Sequence, residues 1–304
     1  MSTMDRREFI RKTTAAVATA LGTPVLGADK VQVAAPPATR PVAKKLLRAG
    51  DTVTLAKTKI KTSRLAIGTG TLGGREQRDV GIEGMIKLFR HGLDQGVRWW
   101  ESAEMYRTHP HVAAALKEVK RDRVVITTKT RSQDAAGVRK DIEDFRKELG
   151  SDYIDIVLLH GMRDHDWREK MKGPMDALSE AKDKGLIRAV GCSYHTLSAL
   201  QAGADEPWTE VNLVRINPFA LRMDVEKIQE LPKVEKVLQT MHQRGKAAYG
   251  MKILAQGDLK GDRIDKSLRF VLARPYVSAF TIGFSRNEQI DDIIRRIDRI
   301  RATA

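Results

Sequence analysis

The chain has 304 residues, a length that allows either one large α/β domain or two ordinary ones. Its 41% hydrophobic and 31% charged residues, with no uninterrupted apolar run of about 18, mark a globular chain and exclude a polytopic membrane protein. A net charge of +15 raises an anionic partner such as nucleic acid, and the single cysteine, Cys192, excludes intrachain disulfides and any Cys-rich metal or iron–sulfur site.

Arg6-Arg7-Glu8-Phe9-Ile10-Arg11-Lys12 precedes a weakly apolar, Ala- and Thr-rich stretch from Thr13 to Ala28. A paired arginine followed by Phe-Ile and a basic residue resembles the twin-arginine export signal, which implies delivery of a folded protein to the periplasm by the twin-arginine machinery. An ordinary basic N-terminus on a cytosolic protein is the alternative. Leu26-Gly27-Ala28 makes a mediocre cleavage site, because Leu26 stands where a small residue is preferred. Residues 29–49 read as a linker, with Pro36-Pro37 and Pro41 interrupting helix and Lys44-Lys45 and Arg48 keeping it solvated. The remainder, 50–304, has the size of one eightfold β/α barrel, about 250 residues.

Within it, 51–60 reads as a small N-terminal β-hairpin that plugs a barrel floor. From Arg64 onward short apolar runs, near 64–68, 97–101, 123–128, 154–159, 186–191, 211–216, 247–252 and 278–283, alternate with stretches of helical period. Ile82, Met85, Ile86, Phe89 and Leu93 share one helix face, as do Val138, Ile142, Phe145 and Leu149. Gly150, Gly185 and Gly245 stand just before strands, as helix C-terminal glycines do. Eight such strands and a final helix near 287–301 predict a closed (β/α)8 TIM barrel, with an open doubly wound sheet as runner-up. Gly68-Thr69-Gly70-Thr71-Leu72-Gly73-Gly74 is a weak nucleotide signal, since no helix is expected to begin at its third glycine.

In such a barrel the chemistry collects where the strands end. Strand two ends Trp99-Trp100-Glu101-Ser102-Ala103-Glu104-Met105-Tyr106, strand three Thr127-Thr128-Lys129 and strand four Leu158-Leu159-His160-Gly161. A lysine directly after the buried run Val124-Val125-Ile126 needs an anion, such as Glu101. Tyr, Lys, His and a carboxylate at one mouth form an acid–base set without a nucleophile or metal cluster.

The segment Gly96 to Tyr106 resembles the aldo/keto reductase signature, in which an Asp five residues before a Tyr ends the second strand. Val125-Ile126-Thr127-Thr128-Lys129 is similar to that family's lysine strand and Asp152 to His160 to its histidine strand. Gly185 to Ser193 is similar to its fifth strand and Gly250-Met251-Lys252-Ile253-Leu254 to its seventh. The resemblance implies reduction of an aldehyde or ketone by hydride from NADP(H), with NAD the weaker alternative. In that frame Tyr106 donates the proton, Lys129 makes it more acidic, His160 aims the substrate carbonyl, and Glu101 holds Lys129.

The pattern also departs from the family. Glu101 stands where the family has Asp, so its extra methylene either displaces Lys129 or is compensated by a neighbour such as Trp99. Ser193 is retained for the nicotinamide amide, but Tyr194 replaces an Asn and Leu213 a Gln. Met251 stands where an aromatic often stacks on the nicotinamide. Lys252, Leu254, Ser285, Arg286 and Gln289 are the remaining cofactor candidates, Ser285 and Arg286 lying near a helix N-terminus that can take a phosphate. Gln289 and Ile293 replace a common Arg and Asn.

Strand alternation puts Trp99 on the side of Glu101, packing or touching substrate, and Trp100 toward the helices. His165 and Trp167 fall in the loop after strand four and are candidates for the wall of the substrate pocket. His109 and His111, too closely spaced for a helical zinc pair, are expected on the surface. Cys192 reads as a small buried hydrophobe. The short tail after the last helix predicts an open mouth. The leading reading is therefore an exported, monomeric, NADP-dependent reductase of small carbonyl compounds. A degenerate family member that senses a cofactor or ligand is the second reading. A nucleic-acid binder is the third, opposed by basic residues spread without interleaved aromatics.

Overall fold

The computed structural model describes residues 48–302; the twin-arginine stretch and all but the end of the linker lie outside the described residues. β1 (Thr52–Thr54) pairs antiparallel with β2 (Lys61–Ser63), as expected for a hairpin. Eight parallel strands come next: β3 (Leu65–Gly68), β4 (Trp99–Glu101), β5 (Val125–Thr130), β6 (Ile154–Met162), β7 (Ile187–Tyr194), β8 (Val211–Arg215), β9 (Ala247–Met251) and β10 (Ala279–Gly283). β10 returns to β3 and closes the barrel, so the (β/α)8 architecture holds and the open sheet does not.

Period-two alternation divides each strand between two cores. Ala66, Trp99, Ile156, Leu158, Ala189, Leu213, Ala247, Tyr249 and Ala279 fill the interior, and Val53, Leu55 and Ile60 of the hairpin join them from below. Four of these are alanines, which leaves room for the Trp99 and Tyr249 rings, packed at 4.6 Å. The opposite parity, including Ile67, Trp100, Ile126, Val157, Leu159 and Cys192, packs on the helices.

The helices are α1 (Arg75–Asp94), α2 (His109–Leu116), α3 (Ala135–Leu149), α4 (Trp167–Lys170), α5 (Lys172–Asp183), α6 (Leu197–Asp205), α7 (Leu231–Gln243), α8 (Asp262–Leu272) and α9 (Asn287–Ala302). Their ends reflect local chemistry. Asp134 Oδ1 accepts from the Gly137 N–H at 2.8 Å to cap α3, and Gly150 ends it in the left-handed region at φ 61°. Contrary to expectation, α1 begins directly after Gly73-Gly74 and breaks at Gly81, φ 76°. Its buried face is Met85, Leu88, Phe89 and Gly92, while Ile82 is exposed.

Candidate active site

The mouth is built from the loops at the carboxyl ends of the strands. After β4 the chain makes a single turn, Glu104–Tyr106, ended by Arg107 in the left-handed region, and this lifts the Tyr106 ring over the barrel. Arg78 locks the turn by donating to the Tyr106 carbonyl at 2.5 Å and to the Gly73 carbonyl at 3.1 Å. Beneath it the hydroxyls of Thr69, Thr108 and Ser102 bond one another at 2.7 and 2.9 Å.

The glycines of 68–74 now acquire a reason. A Cβ on Gly70 would stand 2.6 Å from the Tyr106 ring, and one on Gly74 would stand 2.9 Å from the Tyr106 Cα. A Cβ on Gly68 would stand 3.0 Å from Glu101 Oε2 and 2.6 Å from Thr281 Oγ1. The loop is a seat for the tyrosine and the glutamate.

Tyr106, Lys129, His160 and Glu101 converge. The fully buried Lys129 ammonium donates to Glu101 Oε1 and to the Ser102 carbonyl at 2.7 Å, and lies 3.5 Å from the Tyr106 hydroxyl. Thr281 Oγ1 donates to the other oxygen, Glu101 Oε2, at 3.2 Å. The longer carboxylate therefore reaches its lysine. The compensation comes from Gly68 and Thr281, not from Trp99, whose indole N–H donates to Thr127 Oγ1 at 2.8 Å. His160 meets Tyr106 edge to face at 5.6 Å between ring centres.

Burial opposes the Lys129 charge, yet Glu101 and Tyr106 outweigh it and hold the ammonium above its usual range. Burial likewise raises the Tyr106 phenol, and the nearby Lys129 only partly offsets it. The expected net acidification of the tyrosine is thus reversed before substrate binds: the phenol keeps its proton at neutral pH, beside a cation placed to stabilise its anion. Burial, with the charges of Lys129, His195 and Arg131, pushes His160 down to about 2, so its imidazole is neutral.

A cleft of about 630 Å³ runs from Tyr106 and Glu101 past Leu213 and Met251 to Arg286 and Gln289. Of the cofactor candidates, Met251, Lys252, Leu254, Arg286 and Gln289 line it, whereas Ser193 and Ser285 do not. Ser193 is buried, its Oγ accepting from the Gly161 N–H at 2.7 Å. Ser285 gives its N–H to Gln289 Oε1 at 2.8 Å, and Arg286 its own at 3.2 Å. Tyr194 points outward among the helices and donates to Asn212 Oδ1 at 2.8 Å.

Three substrate candidates are not at the cleft. Trp99 belongs to the apolar layer beneath Glu101, where a large ring gains most from burial. Trp167 is buried between α4 and α6, its indole N–H donating to the Ala199 carbonyl at 3.1 Å. His165 is exposed on the loop after β6, with Nδ1 donating to the Ser198 carbonyl at 3.3 Å. His109 and His111 are buried, not on the surface. Glu148 and Thr128, from other elements, hold the two His109 nitrogens at 2.6 and 2.7 Å. Cys192 is buried as expected, and burial raises its thiol.

Sequence reasoning missed His195, Arg163, Arg215 and Asp224. The His195 ring lies 6.3 Å from that of His160, and Arg163 Nη2 donates to its Nδ1 at 3.3 Å. Arg215 reaches Asp224 Oδ1 at 3.3 Å. The signal that could have found Arg215 was period two on β8, which continues Val211 and Leu213 to a charged residue at the mouth.

The aldo/keto reductase family pattern matches residues 64–267, and the chain belongs to that family. It is 29% identical over 163 residues to the aldo-keto reductase YhdN of Bacillus subtilis, covering 48% of this chain and 47% of that protein. It is 27% identical over 180 residues to the methylglyoxal reductase DkgA of Escherichia coli O157:H7, covering 57% and 64%. The chain thus matches about half to just under two thirds of the length of these relatives. An aldo/keto reductase from Klebsiella pneumoniae, solved in complex with NADP and acetate, superposes with a TM-score of 0.65 at 21% identity, covering 81% of this chain and 89% of that one.

Proposed function

We propose that the protein is an exported, NADP-dependent reductase of aldehyde or ketone carbonyls in which Tyr106 is the general acid. The observation that carries this reading is the chain Glu101–Lys129–Tyr106 at the head of a cleft of about 630 Å³ that extends to Arg286 and Gln289. Met251, Lys252 and Leu254 would hold the nicotinamide half and Arg286 a phosphate; the fit rests on cationic side chains along an elongated cleft whose wall includes the bare backbone of Gly283. When bound, NADPH supplies the hydride. The Tyr106 hydroxyl gives its proton to the carbonyl oxygen, and the Lys129 ammonium stabilises the phenolate left behind. Neutral His160 orients that oxygen by a hydrogen bond without competing for the proton. Leu213 and Met251 exclude water beside the reacting carbon.

Support for the cofactor comes also from the Klebsiella pneumoniae relative, solved with NADP. The test is oxidation of NADPH, with NADH in parallel, in the presence of a reactive aldehyde such as para-nitrobenzaldehyde, together with quenching of tryptophan fluorescence by the cofactor. Turnover preferring NADPH is expected. Cofactor binding without turnover of any carbonyl would favour the sensing protein instead. Export rests on Arg6-Arg7: replacing both by Lys keeps the charge and should retain the precursor in the cytoplasm, while unchanged periplasmic protein would refute it.

A further inference from the structure

Four neighbouring strand ends bring basic side chains to one half of the mouth. β6 runs into Arg163, β7 into His195, β8 ends in Arg215 and β9 runs into Lys252. They share one space: Arg163 donates to His195, His195 packs toward His160, and Arg215 continues the inward parity of Leu213, which lines the cleft with Lys252.

Negative charge around these groups is sparse: Asp224 acts on both Arg215 and Arg163, and Glu101 acts on Lys252 but is committed to Lys129. Asp224 meets Arg215 at 3.3 Å, and among the described residues no carboxylate pairs with Arg163 or Lys252. Asp224 is itself a poor partner: its carboxylate is fully buried, neither oxygen has a hydrogen bond, and Arg215 Nε has none either. Burial, with the Arg215, Arg163 and Lys252 charges, pushes His195 down to about 3, leaving a neutral ring that can donate. Cations gathered beside a reaction centre with too few counter-charges raise the free energy of the empty site, and an anion that enters it recovers that energy.

We propose that the substrate carries an anionic group, a carboxylate or phosphate, a few bonds from its carbonyl, and that Arg163, His195 and Arg215 bind it. The inference rests on the reductase reading, with the carbonyl at Tyr106 and His160. The 6.3 Å between the His160 and His195 rings sets the short spacing. Cofactor phosphates are accounted for elsewhere, along the arm of the cleft that leads to Arg286.

The test compares pairs that share a reacting carbonyl and differ in charge: para-carboxybenzaldehyde against its methyl ester, and glyceraldehyde phosphate against glyceraldehyde. The charged member should have a kcat/KM about tenfold or more higher at low salt, as one charge-assisted contact gives, with the gap closing as salt rises. Whichever pair shows the larger gap identifies the anion. In Arg163→Gln, whose side chain is exposed and whose loss leaves no buried charge, the ratio should fall toward one. Equal or better turnover of the neutral members overturns the proposal, as does an Arg163→Gln effect confined to cofactor affinity. If no carbonyl is reduced, the reductase reading fails separately, and the subsite is then judged by equilibrium binding of the acid against the ester to the cofactor-loaded protein. Tighter binding of the acid, lost in Arg163→Gln, sustains it, and equal binding ends it.

Discussion

The two ends of the barrel treat buried charge in opposite ways. At the floor, Asp155 is fully buried but accepts from Arg121 at 2.7 Å, Arg188 at 2.5 Å and the Ile126 N–H at 2.9 Å, tying β5, β6 and β7 together. At the same end, before β9, the buried Lys246 ammonium donates to the carbonyls of Gly203, Glu206 and Thr209 and to the Thr209 hydroxyl. At the mouth, Asp224 has no hydrogen bond on either oxygen and His160 Nδ1 has no partner. Asp155 and Lys246 are satisfied within the protein and serve its stability. At the mouth, Arg215, poorly neutralised by Asp224, and His160 keep hydrogen-bonding capacity for something that arrives, which is where this fold keeps its chemistry.

If the two ends really differ, substitutions at each should have different kinds of effect. The largest kinetic change short of removing the acid is expected at Glu101. Glu101→Asp withdraws the carboxylate from Lys129 while Gly68 and Thr281 stay fitted to the longer side chain, so kcat should fall roughly a hundredfold, as for a misplacement near 1 Å. Gly68→Ala, which drives a methyl against Thr281 and Glu101, should reduce kcat in the same direction; a faster Glu101→Asp enzyme would show that Lys129 was displaced after all. At the floor the expectation inverts. Asp155→Asn leaves two arginines short of an anion and should lose about 2–3 kcal/mol in denaturant unfolding, discounted for the partial exposure of both arginines, with kcat unchanged.

The smallest effect is expected in the pH dependence of stability. His160 and His195 have folded pKa values depressed to about 2 and about 3, below the unfolded value near 6.5. Between those limits the unfolded chain binds more protons, so their contribution is fully present above about 6.5 and is lost as pH falls toward 3. His195→Gln should flatten the fall of Tm between pH 6.5 and 4; an unchanged slope would mean that the ring is not held neutral by its surroundings.

Much of this was legible in the sequence. Eight apolar runs pointed to the barrel because they alternate with stretches of helical period, and the endings of three of them disclosed Tyr106, Lys129 and His160. What escaped depends on closure. Gly68 serves Glu101 only because β3 and β4 lie side by side, and Thr281 only because β10 returns to β3. His109 and His111 looked exposed because the side chains that cover His109, Thr128 and Glu148, come from β5 and α3. Trp167 stood in a loop by sequence, yet α4 turns its ring into the helix layer.

The central claim, that Tyr106 delivers the proton, is tested most directly by Tyr106→Phe measured for carbonyl reduction and for NADPH affinity in the same preparation. The expected result is a loss of kcat of about a thousandfold with the dissociation constant for NADPH unchanged, since the hydroxyl acts in the transition state and the ring, which phenylalanine keeps, stays seated against Gly70. Parent and variant turning over at equal rates would contradict it.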